Sequence, residues 1–254
     1  MTPQQVNSTE TFGVSVFPAG SIGKYIPFLQ SQLATLFNGT NKTRPWHLWE
    51  LHNPWSRSAL VAESWKFLDL CQSAELLQRI TTFLGEDIIL FDSQFSPDLC
   101  DTGKSAPSWN NDRLRCPVTP LHGLVVRIPV PDQVNAGATF SYKTERRGKQ
   151  VIDYNSGHII CHKADLDYRI EGIESPEQPL EYVIRYFPAT SRYLRDPAAT
   201  VHRQLTEQYP LLNYAQMPLW LVQGEDRAGN DFVTGFQPKA GRWIGEMRQH
   251  ETLC

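Results

Sequence analysis

No apolar run in this sequence approaches the roughly 18 residues that a membrane-spanning helix needs. Its first residues, MTPQQVNSTETFG, lack the basic and then apolar segments of a secretory leader. A cytoplasmic protein with no membrane partner is therefore expected, and the sequons at Asn7, Asn38 and Asn41 then carry no glycan message. Charge of one sign is missing too: 24 Lys and Arg against 27 Asp and Glu give a net charge of −3. That balance supplies no basic field to draw in nucleic acid. The five cysteines, Cys71, Cys100, Cys116, Cys161 and Cys254, are odd in number and lack CxxC spacing. Neither a disulfide framework nor a thiolate zinc site is indicated. Nor is there a GxSxG, P-loop, dinucleotide-binding or HExxH pattern.

What is present describes a folded domain rich in turns and strands. The 254 residues include 18 prolines, 7 Trp, 9 Tyr and 12 Phe, more proline than helical bundles carry. Apolar residues recur at three to four from Ile22 to Phe37, which predicts an amphipathic helix ended by Asn38-Gly39. A second helical block spans about Ser56 to Leu84, with Leu60, Trp65, Leu68, Leu76, Leu77, Ile80 and Phe83 as its apolar residues, a break near Gln72-Ser73 and a stop at Gly85. After Gly85 the rhythm changes. Short β-branched or aromatic runs follow at Asp87 to Phe91, Leu121 to Pro129, Ala138 to Tyr142, Gly157 to Cys161 and Leu180 to Phe187. Helix returns from Pro197 to Tyr209, and a Gly-rich, aromatic tail from Pro218 to Trp243 is expected to pack over the β-core. With no repeat, linker or low-complexity segment, residues 1–254 read as one domain: helices over about 20–85, a barrel over about 87–190, and a C-terminal helix and lid over about 197–254.

Three segments then follow in order: Leu84-Gly85-Glu86-Asp87-Ile88-Ile89-Leu90-Phe91, Ser108-Trp109-Asn110-Asn111-Asp112, and Pro120-Leu121-His122-Gly123 running into Leu124 to Val130. With the turn Pro131 to Ala138, the segment Gly157 to His162 and the run Glu181 to Pro188, this arrangement resembles the phytanoyl-CoA dioxygenase family of iron and 2-oxoglutarate oxygenases over roughly residues 45 to 195. The resemblance implies a mainly β fold with flanking helices, a double-stranded β-helix (jelly roll or cupin) barrel buttressed by the N-terminal helices.

The resemblance also implies a 2-His-1-carboxylate iron centre, and here the sequence departs from it. The motif reads Asn110-Asn111-Asp112, so the carboxylate is kept and the first His is Asn; the second His position falls on Asp167 or Tyr168. The arginine that would grip 2-oxoglutarate should stand just before the closing strand, where the chain reads Glu177-Gln178-Pro179-Leu180-Glu181; Arg185 lies further along. These departures read as loss of the whole cofactor set, with no metal, no iron and no 2-oxoglutarate.

Asp112 is the leading candidate catalytic residue, with Asp167 or Tyr168 as its partner: an inward Asp167 facing Asp112 would make a carboxylate pair able to serve as general acid and base. The plainer alternatives are an ion pair of Asp112 with Arg113 or Arg115, and a solvated turn at Asp167. Trp109, Asn110, His162 and Arg185 are candidates for contacting substrate, although His162 reads more simply as a satisfied core or surface histidine. His122, opening a strand after Pro120, reads as packing. His47 and His52 are five residues apart, roughly 140° on a helix, which is poor metal geometry. The basic stretch Lys143 to Lys149 reads as a hairpin connection.

Three functions compete. The first is a redox-neutral enzyme (isomerisation, cyclisation or elimination) acting on an apolar small molecule. The second is an iron(II)/2-oxoglutarate hydroxylase with atypical ligands such as His122 or His162. The third is a non-catalytic binding or partner subunit.

Overall fold

A computed structural model describes residues 13–37, 48–96, 109–130, 137–144, 148–155, 157–172, 181–208 and 213–232. Part of the turn at 131–138, the stretch 177–180 and the tail beyond 232 lie outside the described residues.

The expected N-terminal helix is split. Gly20–Tyr25 forms a 3-10 turn and α1 runs Ile26–Phe37. Pro27 accounts for the change, because proline has no N–H to continue an upstream helix but fits a first helical turn. The second block also divides, at Gln72-Ser73 as expected, into α2 (Ser64–Cys71) and α3 (Ala74–Leu84). Gly85 closes α3 with φ 82°, a left-handed conformation that glycine adopts without steric cost. Leu60 and Trp65 were expected on the apolar face but are 82% and 62% exposed. Leu60 ends a 3-10 turn before the helix begins, and within α2 the buried side is taken by Phe67, Leu68, Leu70 and Cys71, which leaves Trp65 outward with its ring 6.1 Å from that of Trp55. A last helix, α4, spans Thr200–Gln208.

Eleven described strands carry the rest. They are β1 (Val14–Pro18), β2 (Ile88–Phe95), β3 (Val118–Thr119), β4 (Leu124–Pro129), β5 (Thr139–Thr144), β6 (Gly148–Asp153), β7 (His158–Lys163), β8 (Tyr168–Glu171), β9 (Glu181–Pro188), β10 (Arg192–Tyr193) and β11 (Trp220–Gln223). Six form an antiparallel sheet in the order β1-β7-β4-β9-β2-β11, three form a second in the order β6-β5-β8, and β3 and β10 pair by themselves. Asn110 joins the edge of the second sheet through a bridge to Tyr168. From β4 to β9 the chain passes from the six-stranded sheet to the β5–β6 hairpin of the second, back through β7, across again to β8 and back to β9, which is the plan of a double-stranded β-helix.

Strand periodicity sorts the six-stranded sheet into two faces. On the outer face the helices pack: the Phe67 ring lies 5.8 Å from Phe95 and 5.1 Å from Tyr182, and the Tyr186 hydroxyl donates to the Cys71 carbonyl at 2.7 Å. On the inner face, pairing aligns Val125 with both His162 and Arg185, Arg127 with Ile160 and Val183, and Asp92 with Arg185. Phe140, Tyr168 and Ile170 of the second sheet form the opposing layer, with the rings of Phe140 and His162 5.7 Å apart. Charged residues thus project into the space between the sheets.

Candidate functional site

Five charged side chains meet between the sheets, all 1% exposed or less: Asp92, Asp112, Arg127, Glu181 and Arg185. Asp112 reaches them from the segment after Asn110, anchored by its own N–H on the Ala164 carbonyl at 2.9 Å. One oxygen, Oδ2, accepts from Arg127 Nη2 at 2.7 Å. The other, Oδ1, accepts from Arg185 Nε at 3.1 Å and Nη2 at 2.6 Å. Arg185 continues to Asp92 Oδ2 at 2.6 Å, and Arg127 continues to Glu181. The second oxygen of Glu181 accepts from the Tyr154 hydroxyl. The result is a connected chain, Asp92 to Arg185 to Asp112 to Arg127 to Glu181 to Tyr154.

His162 completes the network. Its Nε2 accepts from Arg127 Nε at 2.8 Å, so Nδ1 carries the proton and donates to the Lys163 carbonyl at 2.8 Å. Burial, reinforced by the Arg127 charge, pushes the imidazole down to about 3, and it stays neutral at physiological pH. Tyr168 lies under the Arg127 guanidinium, 4.1 Å from ring centroid to Cζ. Burial raises its phenol well above the usual range. For Asp112, burial opposes the charge, but Arg185 and then Arg127 outweigh it and hold the carboxyl well below the usual carboxylate range. Asp92 behaves in the opposite way. Burial raises its pKa despite Arg185, and its Oδ1 has no hydrogen-bond partner among the described residues.

The sequence-derived candidates separate accordingly. Asp112, Tyr168, His162 and Arg185 come together. Asn110 is held on Tyr168 by two backbone hydrogen bonds of 2.7 and 2.8 Å, yet the residue is exposed. Asp167 is not Asp112's partner: it is exposed and accepts from Asn111 Nδ2 at 3.1 Å. Tyr168 and Ile170 take the inward positions of β8, so strand alternation turns Asp167 outward. Trp109 is half-buried on the outer side, between Lys143 Nζ at 4.0 Å and Arg169 at 4.8 Å from its ring. The ion-pair partners of Asp112 are the strand arginines 127 and 185, not Arg113 or Arg115. His52 is buried against Ser93 Oγ at 2.9 Å, outside any helix, and His122 is exposed. Residues 143–149 do span the β5–β6 hairpin, although 145–147 lie outside the described residues.

The sequence reading missed Arg127 and Glu181 as functional positions. Both carry a visible signal, a lone charge in an otherwise apolar or aromatic run (Leu-Val-Val-Arg-Ile-Pro and Glu-Tyr-Val-Ile-Arg-Tyr-Phe). Such a charge inside a strand needs a partner if that strand is buried on both faces.

Comparison with known proteins yields structural likeness alone. The sequence matches no protein-family profile and no curated protein. Among solved structures, a non-heme monooxygenase, ThoJ, in complex with nickel superposes with a TM-score of 0.57 at 14% identity, covering 96% of this chain and 93% of that one. EctD from S. alaskensis, determined with 2-oxoglutarate and 5-hydroxyectoine, gives 0.55 at 13%, covering 80% and 83%. SnoK, an alpha-ketoglutarate-dependent carbocyclase from nogalamycin biosynthesis, gives 0.52 at 10%, covering 76% and 86%. The chain has the fold of the non-heme iron and 2-oxoglutarate oxygenases.

An iron centre of that type does not fit the side chains found here. It needs three ligands on one face with free positions opposite. Both oxygens of Asp112 are engaged by guanidiniums, Tyr168 lies beneath one of them, and the available nitrogen of His162 is occupied by Arg127. A metal cation placed beside Asp112 would meet two arginine charges in a low-dielectric interior. Glu181, at the start of β9, would repel a dicarboxylate cosubstrate and already holds Arg127.

Proposed function

We propose that this chain is a phytanoyl-CoA-dioxygenase-like protein that has left iron and 2-oxoglutarate chemistry, needs no metal, and acts by redox-neutral means on a small molecule with an apolar body. The observation that carries this reading is the double engagement of Asp112 by Arg127 and Arg185, which turns the would-be metal ligand into the hub of a buried ion-pair network. Asp112 is then neither acid nor base. Its depressed pKa leaves it no proton to give near neutral pH, and its lone pairs are filled. Its role is to hold two arginines, and through them the two sheets, in place. Structures of the same fold are named as an alpha-ketoglutarate-dependent epimerase and an alpha-ketoglutarate-dependent carbocyclase, so the scaffold serves outcomes other than hydroxylation, there with the cosubstrate.

The test is an anaerobic calorimetric titration of the metal-free protein with Fe(II), with and without 2-oxoglutarate. The expected result is no saturable binding tighter than about 1 mM, or roughly −4 kcal/mol. Micromolar Fe(II) binding that is lost in Asp112→Asn would overturn the proposal and return the protein to the hydroxylases.

A further inference from the structure

With the space between the sheets closed by ion pairs, a ligand needs another place. A pocket of about 530 Å³ opens at the sheet end near Asp112's anchor, between the C-terminal end of α3 and the ends of β4, β7 and β9. That volume is in the range of small-molecule sites, roughly 300–1,000 Å³. Phe83, Leu84, Leu121, Leu124 and Pro188 line one part of it, and four polar side chains, His122, Lys163, Asp165 and Thr190, line the rest. The side chains of His122, Lys163 and Asp165 make no hydrogen bond or ion pair with one another or with other described residues.

The backbone that carries them is fixed. A Cβ on Gly123 would stand 2.1 Å from Cys116 Sγ and 2.9 Å from Ala164 Cβ, so the chain is packed as closely there as glycine allows. Ala164 N–H donates to the Gly123 carbonyl at 2.9 Å, and the Ala164 carbonyl accepts from Asp112 N–H at 2.9 Å. The Lys163 carbonyl takes the His162 proton at 2.8 Å. The pocket wall is therefore the outer side of the same network that closes the interior, and it is preorganised by it.

We infer that this pocket is the ligand site, and that it takes a small organic carboxylate with an apolar body and a neighbouring hydroxyl or ammonium group. Lys163, with His122 beside it, complements the carboxylate; Asp165 accepts from the hydroxyl or ammonium; the apolar walls take the hydrocarbon. This deepens the small-molecule part of the proposed function and is independent of the metal question. The iron titration and the binding test below therefore fail separately.

The probe is 3-phenyllactate, which carries all three features, followed through backbone amide shifts of the full chain. Its controls are 3-phenylpropionate, which lacks the hydroxyl, and phenyllactamide, which lacks the charge. Phenyllactate is expected to shift Gly123, Leu124 and Lys163 saturably. Phenyllactamide should bind about tenfold more weakly and phenylpropionate about threefold more weakly, the size of one charge-assisted and one partly solvated hydrogen bond. Lys163→Gln should lose about tenfold for phenyllactate and bind the amide as well as the acid, while Asp165→Asn should remove the preference for the hydroxyl. Both positions are exposed, so neither variant threatens folding. Absence of saturable shifts, shifts confined to other residues, or equal phenyllactate affinity in Lys163→Gln would each overturn the inference.

Discussion

Replacing Asp112 by Asn separates a structural hub from a metal ligand by stability alone. A carboxylate reserved for a metal is a site of strain in the metal-free protein, and neutralising it costs little or stabilises. Asp112 instead accepts three hydrogen bonds, of 2.7, 3.1 and 2.6 Å, from two guanidiniums that are themselves 1% exposed. The amide keeps one acceptor oxygen but brings its NH2 against one of the guanidiniums and removes the charge that both share. Breaking one partner of a buried ion pair costs about 3–5 kcal/mol. The retained partners, Glu181 for Arg127 and Asp92 for Arg185, place this case at the lower end. For a chain of this length each kcal/mol moves Tm by about 2–4 °C, so Asp112→Asn is expected to melt roughly 6–12 °C lower. Circular dichroism melts and urea titrations of metal-free protein at pH 7 measure this. Adding Arg185→Met should cost less than the sum of the single changes, with a coupling of about 1–3 kcal/mol, because the orphaned guanidinium is then gone. A Tm for Asp112→Asn within about 2 °C of wild type would refute the hub role.

Further expectations concern pH and packing. The buried His52 and His162 are both pushed down to about 3, first by burial. The unfolded chain takes up their protons near 6.5 and the folded chain does not, so their contribution is complete above about pH 6.5 and is lost as pH falls toward 3. The loss reaches about 1.4 kcal/mol per pH unit for each, and His162→Gln should flatten the urea-midpoint profile between pH 6.5 and 5. Glu50 acts with the opposite sign. Burial, and then the nearby Asp92 charge, raise it to about 7, so it is neutral in the fold below that pH and destabilises as pH rises from 4.5 through 7. Glu50→Gln should therefore gain about 1–3 kcal/mol at pH 8 and nothing at pH 4, measured by the same titrations. Gly123→Ala, which sets a methyl against Cys116 Sγ, should cost about 1–3 kcal/mol by thermal melts, and an unchanged Tm would show that the β4 entrance is looser than described.

How far the sequence carried depends on how local each feature is. The strands that are long apolar or aromatic runs, β2, β4, β7 and β9, were legible, as was the break between α2 and α3 at Gln72-Ser73. β1, β8 and β11 were not. They are four or five residues long with mixed polarity, and only pairing with β7, β5 and β2 makes them strands. The resemblance singled out Asp112, and Asp167 or Tyr168 beside it, of which the fold brings Tyr168 to Asp112 and leaves Asp167 exposed. What Asp112 binds was not legible: Arg127 and Arg185 are 15 and 73 residues away, and their choice over Arg113 and Arg115 follows from sheet register, which local spacing does not encode. Glu181 and Arg185, four apart on one strand, lie on the same face, so their appearance in a run of Tyr, Val, Ile and Phe was a usable sign of a buried charge cluster.

On the proposed function, the chain has the oxygenase fold without iron and 2-oxoglutarate turnover. Succinate formation from 2-oxoglutarate, under air with added Fe(II) and ascorbate, measures it most directly, because each turnover of an iron and 2-oxoglutarate oxygenase, coupled or uncoupled, releases succinate. The account predicts no succinate above the protein-free control, with or without 3-phenyllactate present. Succinate that rises in proportion to protein and falls away in Asp112→Asn, at a temperature where that variant is folded, would contradict it.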